Sequence, residues 1–350
     1  MEPYFLIWGA IAVAVLSARR HWDSVTSFGV WLACTLLIGL RDQVGGDWRN
    51  YLPYYDRQIG QPFNFALESD EAGYAISNWL AASQDWGVYG ANILCGGIFS
   101  LGLVIFCRAQ PRPWLALALA FPYLIVVVAM GYSRQGVAIG LEMLALLALE
   151  QNRLLPYLTW IALAATFHKT ALVMLIAPAL TLSGNLRFFN LLRLALLGGT
   201  ALGLYNTFLA DSVDTLQRNY IEAGYQSQGA LIRVVLCLLP ALIFLWQRHA
   251  FPVTPQQRRL WTVISLMAVG LAIWLVVSPS STAVDRIGLY LIPLQLFVGS
   301  RLPELRLQGL PPGTWNQLLL AFSLAVLAVW LLFATHSFAW VPYRNLLLPF

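Results

Sequence analysis

Charge is what this chain of 350 residues has least of. Only 11% of its residues are Asp, Glu, Lys or Arg, and 59% are hydrophobic. Soluble domains carry about 25% and about 45–50% of these classes. A mean hydropathy of +0.67 agrees with the apolar excess. A water-soluble enzyme, a secreted disulfide scaffold and a disordered chain are thereby excluded. Lysine is almost missing, since of the 21 basic residues only Lys169 is not arginine. The four cysteines (Cys34, Cys95, Cys107 and Cys237) lie in or beside apolar runs without C-x-x-C spacing, so neither a disulfide framework nor a zinc site is indicated. No P-loop or dinucleotide fingerprint occurs, which removes support for nucleotide binding. Internal repeats are also missing, and with them support for a repeat-built transporter. The net charge of +5 is spread as single arginines between apolar runs rather than gathered into a patch for nucleic acid.

What the chain does have is a series of apolar runs. With about 20 residues per span, they fit near 4–18, 25–40, 88–107, 114–131, 133–150, 154–167, 169–183, 190–209, 230–247, 260–277, 287–300 and 315–334. This predicts an all-α polytopic membrane helix bundle of about 12 transmembrane helices, forming a single domain over 1–350. Arg19 and Arg20 follow the first apolar run instead of preceding it, unlike the charge of a cleaved signal peptide, so the N-terminus is expected outside. Alternation from there puts both termini on the outer face. It also gives the inner ends a large excess of arginine over Asp23, Glu150 and Glu304, as the positive-inside rule requires.

Two outer loops are longer than the rest, 41–87 and 210–229. In the first, Trp48, Leu52, Tyr55 and Ile59 share one helical face, and Asp47, Asn50, Tyr51, Tyr54 and Gln58 share another. That pattern predicts an amphipathic segment on the outer membrane surface, started or kinked by Pro53. The stretch from Tyr74 to Leu80 is expected to dip into the bilayer without crossing it.

The scarce charge gathers at outer span ends: Arg41-Asp42, Ser133-Arg134-Gln135, His168-Lys169 and Asp285-Arg286. Four basic sites on one face suit a shared anionic ligand, because arginine presents a fork that matches phosphate. Each also has a structural reading, as an interfacial anchor or as half of an ion pair such as Asp285–Arg286. Ser133-Arg134-Gln135 opens a helix, where backbone N–H groups and Arg134 would converge on a phosphate. Gly45-Gly46-Asp47 reads as a tight turn, with Asp47 either capping the next helix or acting on a sugar hydroxyl. His168, beside Lys169, suits proton transfer or phosphate contact. Glu142 lies within a span, which marks either function or a helix–helix hydrogen bond. Arg218 and Arg233, around the second long loop, rank below these. A metal site is not indicated.

The run Arg41…Gly45-Gly46-Asp47…Tyr51 resembles the R…G-x-D…Y signature of the EpsG family of bacterial polysaccharide polymerases, relatives of the Wzy type. Glu71-Ala72-Gly73-Tyr74, Arg134-Gln135, Phe167-His168-Lys169, Asp285-Arg286…Tyr290 and Trp340-Val341-Pro342-Tyr343 are similar to its later motifs, in order. Gly46 departs from the pattern, which often has a small hydroxyl residue there. The resemblance implies a multi-pass glycosyltransferase of the bacterial inner membrane, working at the outer face without metal or other cofactor. Its donor and acceptor would be glycans on undecaprenyl pyrophosphate, its surroundings membrane lipid, with a chain-length regulator left open as a partner and no nucleic acid. Arg41, Arg134, Gln135, Lys169 and Arg286, with Tyr51 and Tyr290, would hold pyrophosphate and substrate. Asp47 or His168 would be the base, supported by Gly45, Glu142, Asp285, Arg218 and Arg233. A flippase for lipid-linked sugars and a membrane O-acyltransferase using His168 remain as alternatives.

Overall fold

The computed structural model describes residues 1–17, 21–181, 187–208, 229–277, 281–305 and 309–347. Among them the regular elements are helices, and one isolated antiparallel bridge joins Arg41 to Asn345. The helices are α1 (Glu2–Ser17), α2 (Ser24–Gly39), α3 (Trp48–Asp56), α4 (Phe63–Leu67), α5 (Ala72–Ser83), α6 (Gly87–Arg108) and α7 (Pro113–Ala120). A π-helical stretch, Phe121–Ala129, continues α7. Then come α8 (Ser133–Glu150), α9 (Leu154–Phe167), a 3-10 stretch (Lys169–Leu175), α10 (Ile176–Thr181), α11 (Arg187–Phe208), α12 (Ala230–Gln247) and α13 (Pro255–Val277). The last are α14 (Ser281–Gly288), a 3-10 turn (Leu289–Leu291), α15 (Pro293–Gly299) and α16 (Pro312–Phe333).

Helix occurs in every segment that the apolar runs mark, over its described residues. Four helices, α6, α12, α13 and α16, are long and apolar enough to cross a membrane by themselves. Shorter apolar helices are α1, α2, Pro113–Ala129, α9 and Lys169–Thr181. Large apolar side chains stand exposed on them: Leu6, Val13 and Leu16 on α1, Trp246 on α12, Ile273 and Val276 on α13, and Phe333 on α16. Such faces are stable against lipid, not water, and the chain is a membrane protein.

Local chemistry sets the helix ends. The Asp23 carboxylate accepts the Thr26 N–H at 2.7 Å and so caps α2. Proline opens α7, α13 and α16, where its missing N–H costs nothing. Pro122 sits where the α-pattern gives way to the π-pattern, consistent with a lost i→i−4 donor.

The described chain divides into two compact units, Met1–Met143 with Thr166–His168 and Gly299–Phe350, and Leu144–Ala165 with Lys169–Val298. In the first, α2 lies along α6, α1 and α16 pack on α7, and α5 packs on α3, α4 and α6. Its centre is the Pro113–Ala129 helix, whose side chains from Leu115 onwards are buried on all sides, as an all-round apolar helix requires. In the second, α12 packs on α13, and the Lys169–Leu175 stretch and α10 pack on α11. Trp261 stacks on Phe297 there, with ring centres 4.1 Å apart.

Segment α3 is amphipathic, but with a different inner face from the one the sequence suggests. Pro53 lies within it, and Leu52 and Ile59 are exposed as expected. Trp48, placed by its spacing on the membrane face, is instead buried against the Tyr89 ring, and Tyr51 and Gln58 are buried too. A Tyr-rich face can pack inward because its rings are apolar and each hydroxyl finds a partner.

Helices α6 and α8 meet without side chains between them. A Cβ on Gly102 would lie 1.9 Å from the Gly140 carbonyl oxygen, whereas one on Gly270 in α13 meets nothing within 4 Å. Gly102→Ala is therefore expected to destabilise the protein by about 1–3 kcal/mol through overpacking. Gly270→Ala is expected to leave it unchanged or to stabilise it by about 0.5–1 kcal/mol through helix propensity. Thermal unfolding in detergent checks both signs.

Candidate functional site

The first outer motif is built on a buried guanidinium. Arg41 follows the end of α2 and has no exposed surface. Its Nε donates to the Val44 carbonyl at 3.1 Å, Nη1 to the Ile38 carbonyl, and Nη2 to Ser133 Oγ at 2.8 Å and Asn92 Oδ1 at 3.3 Å. The Trp48 ring lies 5.6 Å away. The sequence put Arg41 on the pyrophosphate, but here its fork is occupied by protein acceptors and closed to solvent. Ser133, expected to cradle phosphate, is one of those acceptors. Asp42, its sequence neighbour, instead accepts the Tyr89 hydroxyl at 2.7 Å.

Gly45 makes the tight turn expected of it. Its φ is +110°, its N–H donates to the Ala339 carbonyl at 2.8 Å, and a Cβ would come within 2.1 Å of the Met130 oxygen. Asp47 sits at the start of α3, but its carboxylate does not cap the helix. It accepts from Asn50 Nδ2 at 3.2 Å and from the Tyr51 hydroxyl at 3.5 Å. Burial, and then the Asp47 charge, push the Tyr51 hydroxyl above its ordinary range, so it stays a proton donor.

A second polar cluster centres on Glu71, in the turn before α5. One carboxylate oxygen accepts Arg134 Nη1 at 2.5 Å and the other meets His168 Nδ1 at 2.8 Å. Arg134 also reaches the Tyr54 hydroxyl at 3.3 Å and lies over the Tyr54 and Tyr74 rings, at 5.0 and 5.9 Å. All three side chains are partly buried, with 15–27% of the side chain exposed. Gly73 lets α5 come close enough, since a Cβ there would be 2.4 Å from Thr166 Oγ1 and 2.8 Å from the Phe167 ring. Carboxylate contact at Nδ1 selects the tautomer protonated there and leaves the Nε2 lone pair for a proton. Among the described residues Nε2 meets no protein partner. Beside the cluster is a cavity of about 320 Å³ whose walls include Tyr54, Gln58, Glu68, Glu71, Tyr74 and Asn78. That volume is at the lower end for small-molecule sites, about 300–1,000 Å³.

The other expected site residues are placed as follows. Gln135 is buried in the first turn of α8. Glu142 has no exposed surface, and neither carboxyl oxygen meets a protein partner among the described residues. Lys169 is half-buried at the start of its 3-10 stretch and belongs to the second unit, whereas His168 belongs to the first. Within the second unit Asp285 is bound by Arg233, 52 residues away. Arg233 also donates to the Gly229 carbonyl at 3.3 Å, and Arg286 is exposed. The buried Tyr290 hydroxyl accepts Thr170 Oγ1 at 3.1 Å. Arg218 lies outside the described residues.

The sequence reading left Glu71 out of the site. Its motif was visible as Glu71-Ala72-Gly73-Tyr74, and the signal was Gly73, which has no local turn to make and so marks a close approach. Burial raises the Glu71 carboxyl, but the His168 hydrogen bond and the Arg134 charge outweigh it and hold it below the usual carboxylate range. With the folded value below the unfolded one of about 4.3, its stabilisation is complete above that pH and is lost as pH falls through the folded value. The gap in unfolding temperature between the protein and its Glu71→Gln variant is therefore expected to persist down to about pH 4.3 and to close below it. A gap that closes well above that pH contradicts the pairing.

Comparison with known proteins adds one finding. No curated protein and no solved structure matches the chain. The family model described as EpsG family matches residues 26–345, a span that takes in the Arg41 turn, the Glu71 cluster and the closing aromatic-Pro-Tyr segment. The chain therefore belongs to the EpsG family, which is associated with polysaccharide polymerisation.

Proposed function

We propose that the protein is a glycosyltransferase that polymerises saccharide repeat units carried on undecaprenyl pyrophosphate, at the outer face of a bacterial inner membrane crossed by about 12 spans, with both termini outside. The observation that carries this reading is the Arg134–Glu71–His168 cluster, a cation and an oriented imidazole sharing one carboxylate in a family associated with polymer synthesis.

The acceptor hydroxyl oxygen forms a bond to the anomeric carbon of the donor. The bond from that carbon to the pyrophosphate oxygen breaks, and its electron pair leaves with the lipid pyrophosphate. The hydroxyl proton passes to His168 Nε2 as the new bond forms. Glu71 holds the imidazole in the productive tautomer and stabilises the imidazolium that results. Arg134 offers its unused N–H groups to the charge developing on the leaving group. Lys169 and Arg286 retain an anion-binding role on the chemistry of their side chains, and Asp47 orients Tyr51. Arg41 has a structural task instead.

In a strain lacking its own copy, His168→Ala and Arg134→Ala, made at normal levels, are expected to lower the polymerisation rate by about 10²–10⁴. Single repeat units then accumulate outside. Long polymer from either variant contradicts the assignment. Repeats trapped inside would indicate a flippase, and polymer of normal length lacking an acyl group would indicate an acyltransferase.

A further inference from the structure

We infer that the cavity lined by α3, α4 and α5 is the subsite for the acceptor saccharide and that it recognises neutral sugar hydroxyls, not phosphate. This rests on the polymerase reading above and specifies one of its substrates. Two side-chain amides in the wall carry the argument. Asn78 has no exposed surface and Gln58 is 7% exposed. Asn78 Nδ2 donates to the Tyr74 carbonyl at 2.8 Å, which fixes the amide and leaves Oδ1 as its free end. Neither Asn78 Oδ1 nor Gln58 Oε1 meets a protein partner among the described residues. A buried acceptor left without a donor is unfavourable until something donates to it. Both residues line the cavity, so the missing donor belongs to its occupant.

The rest of the wall narrows the chemistry. Glu68 and Glu71 add carboxylates, and Arg57 is the one cation among the lining residues. A surface of acceptors repels a pyrophosphate, whose oxygens accept and do not donate at neutral pH. It suits a polyol, whose hydroxyls donate. Tyr54 and Tyr74 meet edge to face at 5.6 Å, and with Phe65 they give the cavity an aromatic side on which the C–H face of a pyranose can lie. Glu71 belongs both to this wall and to the His168 pair, so the cavity adjoins the proposed base.

The test uses full-length protein in lipid nanodiscs and saturation-transfer NMR with methyl glycosides of glucose, galactose and N-acetylglucosamine. At least one glycoside is expected to bind, with its ring protons receiving saturation and with inorganic pyrophosphate failing to displace it. Gln58→Leu and Asn78→Leu are each expected to weaken that binding about tenfold, the loss of one hydrogen bond to the ligand. Asn78 is deeply buried inside α5, so if Asn78→Leu does not fold, Gln58→Leu in the turn after α3 decides. Unchanged binding in the folded Leu variants overturns the proposal, as does displacement by pyrophosphate or the absence of any glycoside binding. Polymer made by His168→Ala would sink the polymerase reading. Polymerisation that needs His168, alongside glycoside binding indifferent to Gln58 and Asn78, would sink the subsite alone.

Discussion

The Arg41 guanidinium organises the first unit. It donates to the carbonyl of Ile38 in the last turn of α2, where the helix leaves carbonyls without partners and its dipole is negative. The same group holds the turn carbonyl of Val44, Asn92 on α6 and Ser133 at the start of α8. A charge this deeply buried is tolerable only because every acceptor is fixed around it, and losing one side of such an arrangement costs about 3–5 kcal/mol. Both functional motifs of this unit lie next to those contacts. Arg134 is the residue after Ser133, and Asp47 is three residues beyond Val44. An arginine closed to solvent thus sets the position of residues proposed to meet the substrate.

The closing segment of the chain secures the same region from the other side. Leu346 N–H donates to the Leu40 carbonyl, and Asp42 N–H to the Arg344 carbonyl. Trp340 Nε1 donates to the Val126 carbonyl at 2.6 Å, inside the π-helical stretch, where the altered hydrogen-bond register makes such a partner useful. Tyr343 donates to the Leu37 carbonyl, and Tyr4 donates to that of Trp340. The aromatic-Pro-Tyr motif and the Arg41 motif, although at opposite ends of the sequence, are therefore two halves of one latch.

Legibility in the sequence followed the range of the interaction concerned. The apolar helices were readable because hydropathy averages over many residues and no single contact decides it. The turn at Gly45 was readable because backbone sterics are local. The contact of Arg233 with Asp285 was not, because the two lie 52 residues apart and only the packing of α12 on α14 brings them together. Glu71 was hidden for a related reason. It stands in a short acidic stretch with Glu68 and Asp70, and only the contact of Gly73 with Thr166 and Phe167 distinguishes it from them. Arg41 reads as an anion-binding arginine by every local rule, and its burial is a property of four separate segments.

Scarcity of charge gives the Glu71 cluster its chemical character. Arg134 and Glu71 form an ion pair whose charges cancel, so the pair adds little net charge to a partly buried site. Two unit charges about 4 Å apart near a surface interact by about 4 kcal/mol, enough to offset the partial desolvation of each. Under the proposed reaction His168 gains a proton as the lipid pyrophosphate departs. The cluster then becomes positive at the moment an anion forms beside it, and proton capture and leaving-group departure favour one another. A soluble, charge-rich surface would screen that coupling within about 10 Å. In a chain where so few residues carry charge, this three-membered network stands against an apolar background that leaves the coupling intact.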